Sequence, residues 1–570
     1  MKPGDSNLRC SQQLVGALVD AGVRHLVISP GSRSTPLVLA ALQVEALQLH
    51  VVPDERSAAF FALGLSKAGA APAAVLATSG SAAAHWYPAV IEAASAHWPL
   101  LLLSADRPPE SHTCGANQTI DQTRLFGAFT RGFFALDVQA GNPALLASVA
   151  SITAQAVDLS RWPLPGPTHI NVSFREPLLP ESGLSEPPPS AAAVMVDYPQ
   201  RTPAAAQVQQ LAEQLSGRPG ILIAGASAFT CGAARALHRL AVKLDCPLLA
   251  DPLSGLRFDA SDTTQLVCRY DTFLRDPDFA NNHAPDWVLQ FGAPPVSKAL
   301  HDYLDRHAAS SCQIRVHAGG DWPDPARNGR QIIHADAQPL LEALHNCPLQ
   351  PAMLSDWFAA FRQAEQCVDA LHEQPASLPL EARILNQLVQ QLPADSHIFA
   401  GNSTVIRDCD SFLGLQLKPL LLTANRGASG IDGNVSTLLG MAATDDRSVV
   451  GLLGDLALYH DMNGLLAARD VKAILVVFSN GGGAIFSYLP QAQLPQFEQY
   501  WLTDTGLDMA TVAQLYQLAF RRIENVDDFQ QAFSDALAAT CSSLIEIVIN
   551  REDSVARHRA FWSQFERQLS

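Results

Sequence analysis

From Val449 to Gly483 the chain reads VVGLLGDLALYHDMNGLLAARDVKAILVVFSNGGG. Gly454-Asp455 closes one apolar run, and Asn480 with Gly481, Gly482 and Gly483 closes the next. Each run has the pattern of a buried parallel strand, with a helix crossing between them. Neighbouring parallel strands end at one edge, where open sheets bind ligands, so the pattern predicts a carboxylate, a side-chain amide oxygen and an exposed main-chain carbonyl around one point. An all-oxygen set of this kind suits Mg²⁺ or Mn²⁺, with ligand phosphates and water completing the shell, and the glycines let an anion approach the backbone. The plainer alternative is that Asp455 only caps a helix.

A second stretch, NRGASGIDGNVST from Asn425 to Thr437, places Gly427, Gly430 and Gly433 behind Arg426. Such a cluster implies that something lies directly against the main chain, or that the loop makes several tight turns. Further arginines stand beside turn residues, in SPGSRS (Arg33), SADRPP (Arg107) and GNSTVIR (Arg407). Each arginine taken singly reads as a surface or structural residue, and the shared placement at turns after strands is what favours a function.

These residues must be held by a large framework. A chain of 570 residues exceeds one core and implies several domains. Hydrophobic residues make up 48% and charged residues 16%, a globular balance. With 38 Lys+Arg against 55 Asp+Glu the formal charge is −17, which argues against nucleic acid or an anionic membrane as partner and requires any anionic ligand to be held by local cations. The ten cysteines form no C-x-x-C pair, consistent with a reducing compartment and against a zinc or disulfide framework. The N-terminal MKPGDSNLRCSQQ lacks an apolar signal core, and WPLLLLSA is too short to span a membrane; a cytoplasmic protein is the expectation.

Strand, polar turn and helix alternate through HLVISPGS, LHVVPDE, AAVLATSGS and PLLLLSADRP, again through GILIAG, CPLLAD, DWVLQFG, CQIRVH and QIIHAD, and again through DSHIFAGNS, PLLLTANRG, SVVGLLGDLAL, VKAILVVFSNGGG and SSLIEIVINRE. The expected fold is α/β, with three doubly wound parallel-sheet domains: residues 1–182, a Pro/Ser/Ala-rich linker at 183–206, a central domain at 207–346 and a third at 347–570. The turn after GILIAG is not G-x-G-x-x-G, so nothing supports a nicotinamide or flavin site there.

Gly454-Asp455 through Asn480 resembles the signature of the thiamine-diphosphate-dependent enzymes. The resemblance implies that Asp455, Asn480 and the carbonyl of Gly482 hold the metal of the diphosphate. It makes residues 1–182 the pyrimidine-binding domain and 347–570 the diphosphate-binding domain. It also implies a glutamate contributed by a partner subunit, for which Glu55 in VVPDERSAAFFALGLSKA is the candidate, hydrogen-bonded to the pyrimidine ring. Its local alternative is a solvated carboxylate at a helix start. Gly430 and Ile431 would line the middle of the cofactor, with Ile431 as the wedge that bends it.

Within that family SPGSRSTPL, TSGSAAAHWYPAVIEA, SADRPPE, GANQTIDQ, FREPL, GNSTVIRD and NRGASGIDG, in this order, are similar to the branch that decarboxylates 2-oxoglutarate and adds the succinyl-semialdehyde carbanion to isochorismate in menaquinone biosynthesis. The similarity implies a homo-oligomer, at least a dimer, with active sites between subunits. Arg407 and Ser403 are assigned to 2-oxoglutarate, and Arg33, Arg107 and Gln118 to isochorismate. Ser32, Asn117, Lys298 and Arg426 are further polar contacts, and Phe486 and Leu489 an apolar wall. Three positions depart from the pattern: Ala457 where Ser is usual, Ser479-Asn480-Gly481 where three asparagines are usual, and Ala299 where a second cation is expected after Lys298. The alternatives are another thiamine-diphosphate 2-oxoacid decarboxylase or synthase, and a non-catalytic paralogue.

Overall fold

The computed structural model describes residues 2–569 apart from 70, 141, 185, 188–193, 227–228, 259–263, 354–355 and 445–446. Its backbone is organised by three six-stranded sheets in which every pairing is parallel. The first contains β1 (His25–Ile28), β2 (Gln48–Val51), β3 (Ala73–Ala77), β4 (Leu100–Asp106), β5 (Gly132–Asp137) and β6 (Pro167–Ser173), in the order β2-β1-β3-β4-β6-β5. The second contains β7 (Gly220–Ala224), β8 (Leu248–Ala250), β9 (Leu266–Val267), β10 (Trp287–Phe291), β11 (Cys312–Val316) and β12 (Gln331–Ile333), in the order β12-β11-β10-β7-β8-β9. The third contains β13 (Ser396–Ala400), β14 (Leu420–Thr423), β15 (Val449–Gly454), β16 (Ile474–Ser479), β17 (Ala519–Ile523) and β18 (Ser543–Val548), in the order β14-β13-β15-β16-β18-β17.

The inner strands β3, β4, β7, β10 and β13 are buried at every residue, as continuous Val, Ile, Leu and Ala runs require when helices cover both faces. Their winding fixes where ligands can bind. In each sheet the winding switches direction at an inner pair of strands: between β1 and β3, between β7 and β10, and between β13 and β15. The loops that leave the carboxyl ends of these strands diverge to opposite faces and open a crevice there. SPGSRS follows β1, Thr78-Ser79-Gly80 follows β3, Asn402-Ser403 follows β13, and Asp455 follows β15.

The first and third sheets share one apolar core, built around the Glu55–Gly69 and Asn434–Ala442 helices. These helices touch backbone to backbone. A Cβ on Gly64 would lie 2.0 Å from the Thr437 carbonyl oxygen, and one on Gly440 would lie 2.0 Å from that of Phe61. The Trp357–His372 helix packs against the central sheet, where Trp357 donates its indole N–H to the Gly220 carbonyl at 2.9 Å. The Arg551–Leu569 helix returns to the same cluster, burying Phe561 and Phe565 near Phe273 and Phe361.

Between Leu184 and Ala204 the described residues form no helix or strand, and 185 and 188–193 of the expected linker lie outside the described residues. So do 227–228 of the turn after GILIAG. Among the described residues one helix, Pro143–Arg161, has the length and apolar composition of a membrane span. Its Val149, Thr153, Ala156 and Val157 are buried against the first sheet.

Candidate active site

The strand ends β15 and β16 are neighbours, with Gly454 opposite Phe478, and this brings Asp455 to the Asn480 loop. Oδ2 of Asp455 accepts the backbone N–H groups of Asn480 (3.2 Å), Gly481 (3.0 Å) and Gly482 (3.0 Å), while Oδ1 accepts that of Leu456 (2.7 Å). Burial pushes the Asp455 carboxyl up from its ordinary range, and the N–H donors of Gly482, Leu456, Gly481 and Asn480 oppose that shift. The carboxylate therefore organises the loop and also holds one N–H in the first turn of the helix that Asp455 begins.

The Asn480 side-chain oxygen is buried and has no hydrogen-bond partner. A buried acceptor without a partner is costly, about 1–3 kcal/mol, unless a ligand satisfies it. Asp455 meets the backbone of the same residue, and a hard cation taking oxygen donors is a group that would satisfy this oxygen. Gly482 has φ of +107°, and a Cβ there would lie 2.0 Å from the Leu502 carbonyl oxygen; only glycine permits this path of the backbone. Phe486 is half-buried on the following turn, and Leu489 is exposed.

The glycine loop after β14 lies on the same edge. Asn402 donates to the carbonyls of Asn425 (2.8 Å) and Gly430 (2.6 Å) and accepts from Arg426 at 2.8 Å. Asn434 donates to the Ile431 carbonyl at 2.7 Å, leaving Gly430 and Ile431 pinned from both sides and Ile431 half-buried. What presses on Gly427 and Gly433, however, is protein. Glu92 receives the N–H groups of Gly427 (2.9 Å) and Ala428 (2.7 Å), and a Cβ on Gly427 would lie 2.4 Å from the Glu92 carbonyl oxygen. Gly433, at φ +65°, faces the Phe60 ring. Two of the three glycines thus serve the docking of the first domain. Asn402 and Glu92 carried no local signal in the sequence, because their partners lie far along the chain.

Arg407 and Arg426 form one cationic group. Burial lowers the Arg426 guanidinium and Arg407 lowers it further, while Asp251 and Glu92 oppose; burial likewise lowers Arg407 against Asp271, Asp408 and Asp410. Arg407 donates to the Ser403 carbonyl at 2.5 Å, and Ser403 itself has φ of +71°. A non-glycine residue in that conformation signals local strain held by its surroundings.

On the first sheet, Arg33 is buried, donates its backbone N–H to Thr78 Oγ1 (3.2 Å), and donates through its guanidinium to the Phe174 carbonyl (3.1 Å) and to Glu176 (2.9 Å). Arg107 lies 3.8 Å from the same Glu176 oxygen, and its Nε is buried with no partner. Gln118, at φ +51°, donates to the Ser79 carbonyl at 3.2 Å. Ser32 and Asn117 are exposed nearby in sequence. Lys298 begins a helix after β10, is 76% exposed, and is bound to Asp302 at 2.6 Å; Ala299 beside it is buried core. Ala457 is also buried in the helix that Asp455 starts, and Ser479 ends β16.

Glu55 opens its helix, half-buried, just after Asp54, whose carboxylate caps the N–H groups of Arg56 (3.0 Å) and Ser57 (3.2 Å). That helix start docks on the third domain: Arg56 donates to the His460 carbonyl at 2.8 Å, and Asn463 to Asp54 at 3.0 Å. Beneath it the fully buried Asp461 accepts from the Ser436 backbone at 2.6 Å, and burial pushes its carboxyl up to about 6.

Family models match all three sheets: thiamine pyrophosphate enzyme, N-terminal TPP binding domain, at residues 8–125; middle domain of thiamine pyrophosphate at 193–400; and thiamine pyrophosphate enzyme, C-terminal TPP binding domain, at 416–547. The 2-succinyl-5-enolpyruvyl-6-hydroxy-3-cyclohexene-1-carboxylate synthase of Dechloromonas aromatica is 41% identical over 95% of this chain and 99% of its own length. The chain belongs to this synthase family. Synthases of the same name from Chloroflexus aurantiacus (41% identical, 96% of this chain and 94% of its own) and Geobacillus kaustophilus (40%, 98% and 97%) agree. A benzoylformate decarboxylase from Polynucleobacter necessarius superposes with a TM-score of 0.69 over 95% of this chain and 99% of its own at 16% identity, a likeness of fold. The synthase family is thus a branch of thiamine pyrophosphate (thiamine diphosphate) enzymes built on three parallel-sheet domains.

Proposed function

We propose that the chain decarboxylates 2-oxoglutarate and adds the remaining four-carbon unit to isochorismate, giving 2-succinyl-5-enolpyruvyl-6-hydroxy-3-cyclohexene-1-carboxylate and CO2 in menaquinone biosynthesis. The near full-length identity to synthases named for that product carries this reading. Thiamine diphosphate supplies the carbanion chemistry when bound. The chain's own residues bind, orient and neutralise. Asp455, Asn480 and the Gly482 carbonyl hold Mg²⁺ or Mn²⁺ on the diphosphate; the partnerless Asn480 oxygen supports this. Gly430 and Ile431 would line the middle of the cofactor, Gly454 would contact it beside Asp455, and Glu55 would hydrogen-bond its pyrimidine ring nitrogen.

Arg407 and Arg426 take the carboxylates of 2-oxoglutarate, with Ser403 on the same turn. Arg426 is half-buried and Arg407 stands at the surface beside it in the same cationic environment, where guanidinium matches carboxylate bidentately. Arg33, Arg107 and Gln118 take isochorismate, with Ser32, Asn117 and Lys298 as outer contacts and Phe486 and Leu489 as the apolar wall. In this reading residues 1–182 form the pyrimidine-facing domain, 207–346 the central domain and 347–570 the diphosphate domain. Active sites lie between subunits of a cytoplasmic homo-oligomer, and Glu55, which has no hydrogen bond or ion pair among the described residues of its own chain, serves a partner's cofactor.

The test is direct. Purified protein with isochorismate, 2-oxoglutarate, thiamine diphosphate and Mg²⁺ is expected to give the product by mass. Preference for pyruvate over 2-oxoglutarate as donor would overturn the assignment.

A further inference from the structure

Glu176 lies just after β6. One of its oxygens is shared by two guanidiniums, at 2.9 Å from Arg33 and 3.8 Å from Arg107, while the side chain as a whole remains 69% exposed. Arg33 is fixed independently, because it is 6% exposed and also donates to the Phe174 carbonyl. Arg107 is less constrained, with its buried Nε lacking any partner. The preceding Arg175 points elsewhere, to Glu110 and Asp137 at 2.7 Å each. A carboxylate reaching in from solvent to bridge two guanidiniums makes the contact that a substrate carboxylate would make.

We propose that Glu176 is a built-in substitute for the acceptor's carboxylate, which isochorismate must displace from Arg33 and Arg107 on binding. Without a carboxylate between them, two adjacent guanidiniums repel one another and spread; with Glu176 they stay at the separation one oxygen can bridge. The cost is competition, since each acceptor carboxylate must replace an existing ion pair rather than meet free cations. Glu176 thereby acts as a specificity-determining residue: a ligand with one weakly placed carboxylate gains too little to open the bridge, whereas a well-placed dianion gains enough. This inference rests on the assignment of Arg33 and Arg107 to isochorismate.

The experiment compares wild-type, E176Q and R107A proteins, each saturated with thiamine diphosphate, Mg²⁺ and 2-oxoglutarate, in steady-state titrations with isochorismate. Thermal unfolding confirms that each variant is folded. Replacing the exposed carboxylate by an isosteric amide is expected to lower KM for isochorismate roughly two- to fivefold, the range that an exposed ion pair represents, with the rate of the donor half-reaction unchanged. E176Q is also expected to be inhibited more strongly by succinate, used as a simple dianion competing with isochorismate. A raised or unchanged KM in E176Q, with R107A impaired in isochorismate capture, would show that Glu176 orients rather than competes and would overturn this inference alone. An R107A enzyme with unaltered KM for isochorismate would overturn the acceptor assignment and this inference together.

Discussion

The first and third sheets have the same strand order, each with its switch in winding direction between the first and third strands of its own set, yet their carboxyl edges are finished differently. The third-sheet edge is closed within one chain: Asp455 accepts four backbone N–H groups, and Asn402 and Asn434 tie down the glycine loop. The first-sheet edge is open. The Glu55 side chain is half-buried without a partner among the described residues, and Gln118 and Asn117 are exposed. One winding therefore yields both a finished anchoring surface and a surface that needs something placed against it. What separates them is the residues in the loops, as expected when function resides in sites grafted on a fold.

The comparison breaks most completely at the finished edge. Asp455→Ala removes the acceptor of the Asn480–Gly482 loop together with the proposed metal ligand, so affinity for thiamine diphosphate with Mg²⁺ should fall about 100-fold or more in calorimetry. Retained affinity would refute the anchoring role. At the open edge, Glu55→Gln should leave cofactor affinity nearly intact and abolish turnover, and mixing it with Asp455→Ala protein should restore activity through hybrid sites. Failure to recover activity while subunits demonstrably exchange would show that the open edge is not completed by a second chain.

A smaller effect is expected from Arg407→Ala, about 2–4 kcal/mol on the donor half-reaction if it leaves a buried carboxylate unpaired. Single-turnover consumption of 2-oxoglutarate measures it, and equal damage to isochorismate capture would erase the distinction between the two arginine pairs.

The smallest effect concerns the joint between the two edges. The Asp461 carboxyl is raised by burial to about 6, so the folded state holds a proton that the unfolded chain releases near pH 4. Stability should therefore fall as pH rises from about 4 to about 6 and level off above that, with an upper limit of about 2–3 kcal/mol for this group. Asp461→Asn should flatten that segment of a denaturation-versus-pH curve, at some cost from losing one Ser436 contact.

How much was legible in the sequence follows the range of the signals. Long apolar runs ending in Gly-Asp or Asn-Gly marked β15, β16 and the position of Asp455, because burial on both faces leaves a local trace. β17, with the edge sequence AFRRI and mostly exposed residues, left none, and neither did the two-residue β9 or the mixed GFFALD of β5. The glycine loop shows the limit most clearly. Its composition revealed that something presses on the backbone, but whether a ring of Phe60, the backbone around Glu92 or a ligand does so depends on a domain more than 300 residues away in sequence. The same holds for Glu176, whose bridge to Arg33 and Arg107 no local pattern encodes.

The crossing of the Glu55–Gly69 and Asn434–Ala442 helices has a mechanical consequence. Flexible side chains between helices act as a cushion, letting packed elements slide by repacking. Here peptide groups meet with no room for a methyl group at Gly64 or Gly440, so the contact behaves as a rigid weld. The start of one helix carries Glu55, and the start of the other follows directly on Gly430 and Ile431. A displacement at either end is transmitted whole to the other, so the first and third domains move as a single lever, and any hinge between domains must lie elsewhere.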